Sequence, residues 1–163
     1  MRKILLLSIL MFLGMVGYSQ PNESIKINKI IYNISSNPFW DNNELLEKNQ
    51  FTIIFKEGGE VELKRNDSYR PKQKGVIYSY FGKIDNSEYE KLSRFLKKIN
   101  FITLQNEYSD EVWEDGGSRT YSIFYNQSKI KEIRVENIEE IKELRKFSKM
   151  IMNLKKQIKW SVN

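Results

Sequence analysis

Cysteine and histidine are both absent from this 163-residue chain, and the two absences remove much chemistry at once. Without cysteine there is no disulfide framework, no thiolate nucleophile and no cysteine-ligated zinc. Without histidine there is no imidazole metal ligand and no serine–histidine–aspartate relay. Proline and glycine are scarce, at 3 and 8 residues, which excludes collagen-like and flexible low-complexity chains. No apolar run of membrane-spanning length follows residue 20. What is present, 40% hydrophobic and 13% aromatic residues, suits one small folded domain. A domain of about this size buries roughly 68–70% of its unfolded surface, enough for a core without covalent cross-links.

The N-terminus reads as an address. Arg2 and Lys3 precede an uncharged apolar run over residues 4–17, and Gly17-Tyr18-Ser19 then places small residues at the −3 and −1 positions of a cleavage site. The run has the length of a secretory h-region, short of the roughly 20 residues a bilayer span needs. We expect residues 1–19 to be a signal peptide, cleaved before Gln20, and residues 20–163 to form a single exported domain, periplasmic or secreted. The alternative is an uncleaved anchor. Without Arg2 and Lys3 the excess of basic over acidic side chains falls from six to four. That modest balance, in an exported chain, argues against nucleic-acid binding.

Periodicity then gives the organisation. Residues 25–34 alternate as a strand, but Ile25 and Ile27 share one parity and Ile30, Tyr32 and Ile34 the other, which calls for a bulge near Asn28-Lys29. Residues 35–43 read as a loop and 44–48 as a short helical turn. Residues 51–55 and 61–63 alternate around Gly58-Gly59, a hairpin with one buried face. After a polar loop over residues 66–74, residues 76–83 form another strand. Ser87 and Glu90 match a capping box ahead of the stripe Tyr89, Leu92, Phe95, Leu96 and Ile99, with Asn100 as the stop. Residues 105–117 read as an acidic loop. A second hairpin follows over residues 120–125 and 130–135. Asn137 and Glu140 resemble a second capping box, and Ile138, Ile141, Leu144, Ile151, Leu154 and Ile158 continue at helical spacing to the end. The order predicts an α+β domain, a mostly antiparallel sheet of about five to six strands with two main helices packed on one face.

The hairpin Phe51-Thr52-Ile53-Ile54-Phe55 with Gly59 begins a set of residues that resembles a known family. Gly75 before a strand ending Gly82-Lys83-Ile84 continues it, as do residues 89–95, Phe101 with Leu104 and Tyr108, and residues 121–125 ahead of Lys131-Glu132-Ile133. The chain is similar to an uncharacterised family of small exported bacterial domains of unknown function, of Bacteroidota type. The resemblance covers roughly two thirds of the chain at fold-specifying positions, so it implies an exported location and a fold but no reaction. Family members often carry cysteines before the first hairpin strand, where this chain has Ser35-Ser36-Asn37-Pro38.

Several residues are candidates for recognition. Asp110, Glu111 and Asp115 belong to an acidic loop that also holds Glu107, Glu114 and Trp113. Val112 breaks the spacing of a calcium loop there, so we expect no metal site and no cofactor. Ser128 and Lys131 have the S-x-x-K spacing of acyl-transfer enzymes but fall in a hairpin, without the companion motifs. The basic residues of the last helix, Lys142, Arg145, Lys146, Lys149, Lys155, Lys156 and Lys159, read as a solvated face, the alternative being a surface that docks on phosphate-rich lipid or polymer. Tyr78, Tyr80 and Phe81 occupy both faces of one strand, which leaves an aromatic outside the core. The expected contact surface is Trp113 with Asp110, Glu111 and Asp115 of the acidic loop, joined by Tyr78, Tyr80 and the loop residues Tyr69 and Arg70, because aromatics and arginine dominate binding hot spots. The sequence therefore reads as a non-catalytic binding module for an unknown protein or envelope component. The competing readings are a hydrolase using carboxylates such as Glu111 and Asp115, and a proteinaceous inhibitor of an envelope enzyme.

Overall fold

The computed structural model describes residues 24–35, 50–66, 77–109, 117–136 and 141–162. The strands are β1 (Ile27–Ser35), β2 (Phe51–Lys56), β3 (Glu60–Asn66), β4 (Ile77–Lys83), β5 (Glu107–Ser109), β6 (Ser118–Tyr125), β7 (Lys129–Glu136) and β8 (Ser161–Val162). They form one sheet in the order β5-β7-β6-β1-β2-β3-β4-β8. Every neighbouring pair is antiparallel except β5 with β7. Two helices, α1 (Asn86–Lys98) and α2 (Lys142–Gln157), and a 3-10 turn at Phe101–Thr103 bury their apolar sides against one face of the sheet. Among the described residues no helix is long and apolar enough to cross a membrane.

The parity change in β1 is resolved by a bulge. Ile27 pairs with Tyr125 and Lys29 with Phe124, so Asn28 is the extra residue, and Ile27 and Ile30 both reach the core. Beyond it the alternation is regular. Ile133, Tyr121, Tyr32, Ile53 and Leu63 lie in register across five strands, all facing Tyr89, Leu92 and Leu96 of α1 and Leu144, Phe147 and Ile151 of α2. Each such aliphatic side chain contributes roughly 1.5–3 kcal/mol by leaving water. Tyr121 packs against Tyr32 with the rings tilted at 32° and their centres 5.0 Å apart, and its hydroxyl meets Ser148 Oγ at 2.5 Å, so the phenol is buried with its polar end satisfied. Tyr89 Oη likewise donates to Ile27 O at 3.1 Å, tying α1 to the bulge.

Three expectations are corrected. The sheet has eight strands where five to six were expected: β5 lies in the stretch read as acidic loop, and β8 in the tail read as helix. Strands of three and two residues are too short to show period-two alternation. The Ser87–Glu90 capping box does not form. Gly59 O accepts the Ile84 amide, which fixes the exit from β4 and starts α1 at Asn86 with Asp85 as N-cap and no side-chain cap bond. Ser87 is therefore already inside the helix. Finally, α2 ends at Gln157, and Ile158 turns out into extended backbone while remaining buried. The second capping-box pair, Asn137 and Glu140, and the helical turn over residues 44–48 lie outside the described residues.

Gly82 makes that exit possible. A Cβ there would stand 2.2 Å from Ile158 Cγ2, so only glycine lets the C-terminal segment cross β4 this closely. Trp160 Nε1 then donates to Lys155 O at 3.2 Å and Ser161 Oγ to Phe81 O at 3.1 Å. The other face of the sheet carries mixed rows, such as Glu132, Ser122, Ile31, Ile54, Glu62 and Phe81 in register, the alternation expected of a sheet whose core lies on one side.

Candidate functional site

The two ends of the sheet differ in kind. At one end the strands are joined by tight turns, Glu57-Gly58-Gly59 between β2 and β3 and Asn126-Gln127-Ser128 between β6 and β7. The bulge residue Asn28 fastens both turns: its Nδ2 donates to Glu57 Oε2 at 3.2 Å and its Oδ1 accepts from Gln127 N at 3.1 Å. Lys26 Nζ adds an ion pair to Glu57 Oε1 at 2.8 Å. Hydrogen bonds from Lys26 and Asn28 hold the Glu57 carboxyl below the usual glutamate range.

At the opposite end lie Ser35 of β1, Phe51 of β2, Asn66 of β3, Ile77 of β4, Ser109 of β5, Ser118 of β6 and Glu136 of β7, the strand ends that border residues 36–49, 67–76, 110–116 and 137–140 in the sequence. The registers place those ends side by side. Ile34 lies opposite Phe51 and Arg119, Phe51 opposite Arg65, Arg65 opposite Tyr78, and Glu136 beside Ser118 and Ser109. A cavity of about 230 Å³ opens here, with Asn33, Ser35, Gln50, Phe51, Thr52 and Arg65 in its wall.

Arg65 occupies a core-facing position, in phase with Val61 and Leu63 of its strand. Its Nε is shielded from solvent and has no hydrogen-bond partner. From the helix side, Lys155 brings its ammonium 4.1 Å above the centre of the Phe51 ring, an attraction to the π face. Burial, and then the Arg65 charge, push the Lys155 ammonium below the usual lysine range. Lys64, also in the cavity wall, is occupied by Glu62 at 3.5 Å. The end of the sheet thus holds two adjacent cations, Arg65 and Lys155, with no carboxylate partner among the described residues.

Of the residues singled out from sequence, Tyr78 and Tyr80 are described. Both point to the helix-covered side, Tyr80 packed at the core margin opposite Leu63 and Tyr78 opposite Arg65, while Phe81 is the aromatic of the other face. Trp113, Asp110, Glu111, Asp115, Tyr69 and Arg70 lie outside the described residues. Ser128 sits in the hairpin turn, and the Lys131 ammonium is bonded to Leu104 O and Asn106 Oδ1, which leaves no acyl-transfer pair. Sequence reasoning misses Arg65, although it continues the parity of Val61 and Leu63, and reads Lys155 with the solvated basic face of the last helix, although it lies four residues after Ile151 on the edge of the buried stripe.

Residues 48–155 match a protein family described as a domain of unknown function, DUF6438. The chain belongs to that family. The DUF6438 match takes in β2 to β7, α1 and most of α2, and so includes Phe51, Arg65, Tyr78 and Lys155. It omits β1, which lies between β2 and β6 at the centre of the sheet. No curated protein and no solved structure matches the chain.

Proposed function

We propose that this DUF6438 protein is an exported, non-catalytic binding module of a bacterial envelope, periplasmic or secreted, that holds its partner at the end of the sheet away from the tight turns. The observation that carries this reading is the convergence of strand ends described above. Four connecting stretches, among them those with Tyr69, Arg70, Asp110, Glu111, Trp113 and Asp115, attach to neighbouring strand and helix ends on one rigid frame. Recognition residues concentrate on connections held by such a scaffold. Aromatic and arginine side chains are enriched among the residues that carry most of the binding energy of an interface.

Two measurements test the reading. Protein recovered from the native envelope should begin at Gln20; a chain still starting at Met1 would remove the exported, soluble state. Cross-linked partner recovered with the wild-type protein should be lost when Trp113→Ala is combined with Arg70→Ala, and retained for Lys146→Ala on the helix layer. Equal recovery by all three would place the contact elsewhere. Turnover of a glycoside or ester substrate that Glu111→Gln abolishes would instead establish the hydrolase reading.

A further inference from the structure

We infer that the outer side of the two-helix layer is a docking face for an anionic phospholipid surface. This face is separate from the connection end of the sheet. Its first support is where the charge lies. Together α1 and α2 hold ten basic and three acidic residues, while the rest of the chain holds 17 basic and 18 acidic ones. The helix layer therefore carries the whole positive excess of the protein. Glu139 and Glu140 precede α2 in the sequence, and counting them with the three helix acids still leaves the layer an excess of five cations.

Helical periodicity gathers these cations on the outermost rows. At 3.6 residues per turn, Lys142, Lys146, Lys149, Asn153 and Lys156 form the row of α2 opposite its buried side chains, and Ser87, Lys91, Arg94 and Lys98 the matching row of α1. All nine are exposed. Neither row contains a carboxylate, because Glu88, Glu90 and Glu143 are set back on the flanks. Phe95 of α1 stacks on Phe147 of α2 with ring centres 6.0 Å apart, and Glu88 and Leu92 share a crevice with Leu154 and Gln157. The helices thus lie antiparallel and side by side, and the two rows form one broad face. Helix axes pack roughly 8–10 Å apart, and Lys142 to Lys156 spans about 21 Å of α2. A linear polyanion would follow one row, whereas a plane of headgroups meets both at once. Lysine and arginine reach lipid phosphates on flexible stems, and each adds attraction to an anionic leaflet within a Debye length. The exposed ion pair of Lys91 with Glu88 is a weak competitor. Local energetics oppose the arrangement: cations three and four residues apart repel, and Lys142 stands at the α2 N-terminus, where the helix dipole disfavours a positive charge.

The test is sedimentation of the full-length protein with phosphatidylcholine vesicles that contain or lack phosphatidylglycerol. The fraction held by phosphatidylcholine alone measures the apolar run over residues 4–17 and is the baseline. Retention above it is expected to require phosphatidylglycerol and to weaken about tenfold or more in high salt. Combining Lys142→Gln, Lys146→Gln and Lys149→Gln should weaken that retention about tenfold or more, and so should Lys91→Gln with Arg94→Gln and Lys98→Gln. The same loss of charge on the opposite face of the sheet, Lys56→Gln with Lys64→Gln and Lys83→Gln, should leave it unchanged. A second readout uses the wild type alone: phosphatidylglycerol vesicles should shield Lys146 and Lys149 from acetylation by an activated ester, and not Lys83. Absence of phosphatidylglycerol-dependent retention, equal loss in all three triple variants, or loss confined to one row overturns the inference. Tighter retention on soluble polyglutamate than on the vesicles also overturns it, assigning the face to a polymer. The Trp113 and Arg70 substitutions report on the connection end alone, so the failure of one reading leaves the other standing.

Discussion

Gly58 and Gly59 are adjacent and share positive φ values of 90° and 87°, yet their surroundings separate them. A Cβ on Gly58 would meet nothing within 4 Å, whereas one on Gly59 would stand 2.2 Å from Ile84 O, the backbone that leads from β4 into α1. Gly58→Ala should therefore cost only the left-handed backbone penalty, about 1–2 kcal/mol, and Gly59→Ala clearly more, measured by urea unfolding. Equal losses would show that the approach of Ile84 relaxes freely. Glu57 supplies a second residue-scale prediction. Its folded pKa lies below the ordinary value, so its contribution is present above the unfolded pKa of about 4.3 and is lost as pH falls through the folded one. Glu57→Gln should lower the Tm at neutral pH, with the gap to wild type closing in acid. A constant gap from pH 7 into strong acid would show that the charge on Glu57 contributes nothing. At this scale the sequence was readable where a residue broke a local pattern, as Asn28 did. Arg65 broke one too, but a cation in a buried phase means nothing until its neighbours are known.

The helices show how an element can be legible in its buried side and illegible at its ends. Tyr89, Leu92 and Leu96, and Leu144, Ile151 and Leu154, were readable from spacing alone, because a stripe at three and four residues has no other way to leave water. The α1 start was not, because the Gly59 carbonyl, remote in sequence, sets it. The solvent side of α2 is almost wholly cationic: Lys142, Arg145, Lys146, Lys149 and Lys156 face outward, with Glu143 as the one acid of the helix. Lys146 has Lys142 four residues before it and Lys149 three after, and like charges at those spacings each oppose the helix by about 0.2–0.5 kcal/mol. Lys146→Glu should stabilise the protein by about 0.5 kcal/mol or more in low salt, with the gain fading in high salt as screening removes both repulsion and attraction. Thermal melts of the pair at two ionic strengths check this. No gain in low salt would mean that the repulsion is already relaxed by the mobility of the side chains.

At the scale of the molecule, the central position of β1 has consequences for what constitutes the domain. The strand pairs with β2 on one side and β6 on the other and buries Ile27, Ile30 and Tyr32, although the DUF6438 match begins at residue 48. Removing it would cost roughly 1.5–3 kcal/mol for each buried side chain and open two ladders, against a total stability of about 5–15 kcal/mol. A fragment of residues 48–163 should lack a cooperative thermal transition and regain one when a peptide of residues 24–35 is added in excess. A cooperative, wild-type-like melt of the fragment alone would make β1 an accessory strand. The amino-acid order by itself determined which side chains turn inward, where β1 changes phase and that helices would cover one face, because these follow from periods of two and 3.6 within a few residues. Tertiary structure alone decided the strand order, the two short strands, the gathering of strand ends at one end of the sheet and the approach of Lys155 to Phe51. Each of these depends on hydrogen bonds or packing between segments far apart in the chain, where no local pattern carries the information.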